Sequence, residues 1–496
     1  MKKEKVASLI ILLIFAFISF ISCSTGETIN NAGDKSVTEE NAANGDNNVE
    51  PTAENYLAAL PSADFDRYEF VFIKPEPDGW ACSDLIVTED TGDLIPDAIY
   101  KRNLAVEEKY NITLKEVING DPGGAFRKSV SAGDETYDAI YNRAAGMAAL
   151  STQAVLYNIF DIPNVELPNP WWDSKCAEQL SIAKKLYMIT GDISVHYNDA
   201  TWILMFNKQM IADFEMENPY ELVFNGKWTL DKFNEMMGFA AADLDGDGVQ
   251  SWDDRFGFIS HAGTYNPFMF GTGARFYTKD SDDLPVLAMN TAIFADKFAK
   301  TVGILADTTK VADSNREKFL ADRHNDGEWQ LIFYNNRSLF FAEVLGTLAR
   351  RKDAETDFGL LPLPKYDELQ ENYICTVLDS ALVLGIPMNA ANIDRTGLIL
   401  EAMAAESYTT VIPAYYDLTL QFKLTKDEES IQILDTIRKD RIYEVGYIFN
   451  IGGMAGEIQN RMQKNDINIA SFIEKFESRM ENAVQKIVDA YTDNFR

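Results

Sequence analysis

Three aspartates at alternate positions, Asp243, Asp245 and Asp247, followed by Gly248, form the sharpest chemical motif of the chain, in the stretch DLDGDGVQSWDD. Calcium takes about six to eight hard oxygen ligands, and an EF-hand-type loop offers them at positions 1, 3, 5, 7, 9 and 12 with glycine at 6. Counted from Asp243, Val249 supplies its carbonyl at the seventh position, Ser251 its hydroxyl at the ninth and Asp254 a carboxylate at the twelfth. Aspartate there instead of glutamate departs from the usual pattern. The spacing predicts a bound Ca2+, and because the loop occurs once it predicts a structural clip rather than a switch. A solvated acidic turn is the alternative.

Little else carries chemistry locally. The histidines, His196, His261 and His324, show no arrangement of a base or a metal triad. Cys82, Cys176 and Cys375 are widely spaced and read as buried apolar side chains, although one disulfide among them stays open. There is no nucleophile elbow, no HExxH and no phosphate loop. Glycan hydrolysis needs two carboxylates at a set separation, and 77 acidic residues make such pairs easy to imagine, but none has a local signature. The expectation is a protein that is not an enzyme. An exported glycan-active hydrolase and a calcium-dependent surface adhesin are the competing readings.

The formal net charge of −32 over 496 residues excludes nucleic acid as a partner, since such a field repels a phosphate backbone. Lys2, Lys3 and Lys5, the apolar run Val6–Ile21 and FISC ending at Cys23 predict a signal peptide over residues 1–22. Ser22 before Cys23 resembles a bacterial lipobox, with Phe20 and Ile21 as departures, so Cys23 is the expected site of lipidation. Residues 23–55 are polar and predict a disordered tether. The chain is expected at the extracytoplasmic face of the cell membrane, held by its lipid.

From residue 56 the pattern is α/β. Strands are expected at Tyr68–Lys74, Ile112–Val117 and Tyr137–Tyr141, with helices at Asp97–Asn111 and Phe126–Ala132, an alternation that predicts a mainly parallel sheet. In such sheets ligands lie beyond the carboxyl ends of the strands, so the loops holding Trp80 and Asn142–Arg143 are expected to face a cleft. Leu186–Thr190 and Thr201–Asn207 read as extended runs around a polar joint, where the chain crosses between lobes; a second crossing is expected at Pro362–Pro364. Thr229 is the expected N-cap of a helix reaching Ala242. Trp329–Tyr334, Ser338–Phe341, Asp357–Leu363 and Tyr373–Pro387 read as extended. Thr291–Gly303, Asn315–Ala321, Asn392–Glu406, Lys426–Arg438 and Ser471–Tyr491 read as helical. These boundaries divide the chain into a first lobe over 56–198 with a return over 362–411, a second lobe over 199–361, and a helical region over 412–496 packed mainly on the second lobe.

YEFVFIK, DAIYKRNLAVEEKYNI, YDAIY, the PWWD loop, GDISVHYNDATWILMFNK, GKWTLDKF with its DLDGDG loop, and DFGLLPLPKY together resemble the bacterial extracellular solute-binding proteins of family 1, the receptors of ABC importers that include maltose-binding protein. The resemblance implies a two-lobed periplasmic-binding-protein type II fold, each lobe a mainly parallel sheet flanked by helices. It also implies closure on a small solute, usually a carbohydrate, and delivery to ABC permease subunits by a monomer. Sugars present apolar ring faces and a rim of hydroxyls, so aromatic platforms and amide or carboxylate groups should meet them. Trp80, Trp202, Tyr415 and Tyr416 are the stacking candidates. Asn142, Arg143, Asn198, Asp199, Glu343 and Asp379 are the polar ones. Tyr415–Tyr416, after Pro413, is expected in a loop.

Overall fold

The computed structural model describes residues 56–316, 328–351, 356–421 and 428–493. The segments 1–22 and 23–55 with Cys23, and also His324, lie outside them, as does most of the helix expected at Asn315–Ala321.

The alternation at the start of the fold builds a sheet. The strand Tyr68–Lys74 pairs in parallel with Ile112–Ile118 on one side and Ala139–Arg143 on the other. Leu382–Gly385 returns from far along the chain and closes the sheet antiparallel to Ala139–Arg143. The helix between the first two strands, Leu94–Tyr110, turns Ile99, Asn103, Val106 and Tyr110 inward. These residues recur every three or four positions, which places them on one face of a helix. Pro122–Ala132 starts earlier than its apolar pattern suggests, because proline suits a first turn and Asp121 caps it by accepting from the Gly124 N–H.

A second sheet has the order Phe358–Leu361, Trp202–Asn207, Ser338–Val344, Phe256–Ser260 and Val311–Asp313. It is mixed rather than mainly parallel. Trp202–Asn207 runs antiparallel to both neighbours, while Ser338–Val344, Phe256–Ser260 and Val311–Asp313 run parallel. Behind it Trp228, Phe233, Phe258, Phe268 and Phe340 pack ring against ring, and Thr229 caps the helix Leu230–Ala240 as expected.

The crossing differs from the expectation in three ways. Leu186–Thr190 is not a strand; it makes a single bridge, Ile189 to Leu384. The second crossing runs beside the first, with Thr201 bridged to Val377 and the Leu378 N–H donating to the Ala200 carbonyl, whereas Pro362 is held back by the Trp228 indole N–H at 3.0 Å. A third segment joins them where Arg441–Ile442 pairs with Cys375–Thr376.

Elsewhere Trp329–Tyr334 is helical, not extended, across Glu328–Gln330 and Leu331–Tyr334. Tyr415 and Tyr416 lie inside the helix Val411–Gln421, not in a loop, since Pro413 occupies its first turn, where a missing N–H costs nothing. That helix and Ile393–Thr409 pack on Leu94–Tyr110 of the first lobe. Of the region expected on the second lobe, Glu428–Lys439, Met454–Gln463 and Ile469–Asp493 do contact second-lobe elements. Cys82, Cys176 and Cys375 are free thiols, the last two buried. No helix among the described residues is long and apolar enough to cross a membrane.

Candidate functional site: two sheet edges

The carboxyl ends of the parallel strands in the first sheet open onto a cavity of about 750 Å³. Pro75 and Glu76 follow the first strand, Gly120 and Asp121 the second, and Asn142 and Arg143 end the third. Asp379 and Ser380 enter from the antiparallel partner, whose amino end lies at the same edge. The cavity thus brings together Asn142, Arg143 and Asp379 of the expected set. Asn142 is 7% exposed and its Oδ1 accepts from the Arg143 N–H. Arg143 forms an ion pair with Asp78. Burial raises the Asp379 carboxyl above its usual range, against the hydroxyl of Tyr447, which donates to it. No aromatic side chain lines this cavity among the described residues.

The second sheet has an equivalent edge. Strands Phe256–Ser260 and Ser338–Val344 end there, and Trp202, opposite Val344, begins there. Trp202 and Glu343 therefore stand together, as residues of one edge, with His261 between them. The His261 ring stacks on the Trp202 indole at 5.7 Å, and its Nε2 lies 3.5 Å from Glu343 Oε1. Trp329 closes the group, 5.2 Å from His261. His261 and Trp329 were missed by sequence reasoning. His261 directly follows an apolar strand of a parallel pair, which is the same indication that selected Asn142 and Arg143. Trp329 carries none, because it precedes a short helix whose apolar run has the pattern of a strand.

The remaining candidates are spent on the crossing itself. Asp199 accepts from the Cys82 N–H at 2.8 Å and from the Tyr415 hydroxyl at 2.7 Å, and burial pushes its carboxyl up to about 6. Asn198 Oδ1 accepts from Arg441, whose guanidinium also pairs with Asp173 at 3.1 Å and covers the Tyr197 ring. Tyr416 lies under the Arg438 guanidinium. Trp80 sets its ring edge against His196, outside the lining of the cavity. His196 accepts the Leu382 N–H on Nδ1, and burial holds its imidazole down at about 3. The tryptophans of the PWWD loop both point into the core, where each indole N–H donates to Glu401.

In the acidic loop, carboxylate oxygens of Asp243, Asp245 and Asp247 converge within 4.8 Å of one another. The Gly248 and Gly246 N–H groups donate to Asp243 and hold its carboxyl below the usual range. Asp254 is turned inward and accepts from the Leu244 and Ser251 N–H groups, which fastens the loop's ends.

No family model and no curated protein matches the sequence. Solved structures do. A maltose-binding periplasmic protein MalE from Listeria monocytogenes, in complex with maltose, aligns at TM-score 0.51 and 15% identity, over 87% of this chain and 100% of that one. A sugar transporter from Rhizobium etli in an open conformation aligns at 0.54 and 12%, over 85% and 98%. A cyclo/maltodextrin-binding protein complexed with maltotetraose aligns at 0.54 and 11%, over 86% and 97%. Identities this low carry the fold and nothing finer. Two sheets joined by adjacent crossing segments, the first with its strand ends open onto a cavity, give this chain the two-lobed type II periplasmic-binding fold.

Proposed function

We propose that the chain is the solute-binding receptor of an ABC importer, capturing a mono- or oligosaccharide by closure of its two lobes and delivering it to permease subunits. The observation that carries this reading is the cavity at the carboxyl ends of the first sheet, where amide, guanidinium and carboxylate groups converge as sugar hydroxyls require. The maltose and maltotetraose complexes of fold neighbours support the same class of solute. The protein is a binder and not an enzyme, monomeric, and anchored at the extracytoplasmic face through lipidated Cys23.

Thermal unfolding against a panel of mono- and oligosaccharides tests it. Binding to the native state stabilises by RT ln(1 + [L]/Kd), about 2.7 kcal/mol at a hundredfold excess over Kd. One sugar class should raise the melting temperature and reduce the radius of gyration in scattering. A full panel without a shift, or turnover of a glycan, would sink the reading.

The acidic loop is proposed to hold a structural Ca2+ through Asp243, Asp245 and Asp247, with the Val249 carbonyl and the Ser251 hydroxyl completing the set. Asp254 keeps the loop closed around it. Calcium added to the metal-free chain should raise the melting temperature, and Asp245→Asn should remove most of that gain. An equal gain in the variant would place the ion elsewhere.

A further inference from the structure

Most polar groups around the first-lobe cavity are already engaged by the protein. Arg143 is paired with Asp78, Asp121 is engaged by the Gly124 N–H, Asp379 by Tyr447, and Asn142 Oδ1 by the Arg143 N–H. What remains is mostly donors. Asn142 is buried to more than nine-tenths, lines the cavity, and its Nδ2 meets no acceptor among the described residues. The room around that amide comes from two glycines. A Cβ at Gly146 would come within 2.9 Å of Nδ2, and one at Gly123 within 3.3 Å. Gly123 lies in the first turn of Pro122–Ala132, where N–H groups have no partner inside the helix and the Asp121 cap takes that of Gly124. Arg127, four residues on, shares that face of the helix and donates to Gln153 Oε1 over a long 3.4 Å. Glu76 and Asp121 are the exposed carboxylates of the lining, and Asp121 takes the Gly124 N–H on Oδ1.

We infer that the solute brings an oxyanion, the carboxylate of an acidic sugar or a sugar sulfate ester, to the corner formed by Asn142 Nδ2, the Gly123 N–H and Arg127. The inference rests on the sugar-receptor reading and narrows it. A helix N-terminus with an unspent amide and a guanidinium is a site for negative charge. Glu76 is then the acceptor for hydroxyls on the rest of the ring.

Calorimetry and thermal shift on the full chain with matched pairs test this: galactose against galacturonate, their oligomers, and glucose against glucose 6-sulfate. The charged member should bind about tenfold or more tighter, as charge-assisted hydrogen bonds do. Arg127→Gln, an exposed site, should remove that preference without changing the melting temperature of the unliganded chain. Asn142→Asp keeps the shape and the acceptor for Arg143 but replaces the donor with a negative charge, and should abolish binding of the acidic member. A shift with the uronate or with the sulfate alone identifies the source of the oxyanion. Equal or better binding of the neutral member overturns the inference and leaves a neutral-sugar receptor. No binding of either kind overturns both.

Discussion

Replacing Glu401 with leucine lowers the stability of the chain by about 3–5 kcal/mol, the loss expected when several buried donors are left together without an acceptor. Glu401 is fully buried in the helix Ile393–Thr409. Its two oxygens accept from the indoles of Trp171 and Trp172, from Asn169 Nδ2 and from the Glu166 N–H. Leucine fills much of the volume but accepts nothing, so buried donors of the 166–172 loop lose their partners together. Unfolding in urea reads the effect as a shift of the midpoint. Glutamine keeps one acceptor oxygen and should recover part of the loss. A Glu401→Leu midpoint within error of the parent would mean that the indoles find other acceptors and that this loop is not held through Glu401.

Arg441→Met should cost a similar amount, about 3–5 kcal/mol, because it strands a buried carboxylate rather than removing a matched pair. The Arg441 guanidinium reaches Asp173 at 3.1 Å and Asn198 at 2.8 Å, and Asp173 also accepts from the Tyr443 hydroxyl and caps the helix Ser174–Leu180. Asn198 belongs to the first crossing and Arg441 to the third, so the change also loosens the joint between the lobes. Adding Asp173→Asn to Arg441→Met removes the stranded charge and should restore part of the stability, a coupling that a double-mutant cycle measures. Purely additive losses would refute the pairing as the source of the effect.

Residues read from the sequence as ligand groups divide along a physical line. Asn142, Arg143 and Asp379 follow or precede apolar strands at a sheet edge, and that edge opens onto the cavity. Trp202 and Glu343 lie at the matching edge of the second sheet by the same rule. Asn198, Asp199 and Tyr415 carry equally suitable chemistry, yet the fold spends it on partners far along the chain. Tyr415 meets Asp199 across 216 residues and Arg441 meets Asn198 across 243. Local composition holds no trace of such partners.

What the amino-acid order determined alone is local. Apolar, strand-favouring composition gives YEFVFIK its strand, spacing gives Leu94–Tyr110 its buried face, and Thr229 caps the helix Leu230–Ala240. Each of these depends on neighbours within a few positions, where propensity and periodicity act. The tertiary structure alone decided which way the sheet strands run at the crossing, where the chain returns to the first lobe, and which polar side chains keep an unspent hydrogen bond. Burial makes every unpaired polar group expensive, so the folded chain pairs most of them internally. Asn142 Nδ2 stands beside Gly123 and Gly146, and the distant elements around it supply no acceptor among the described residues.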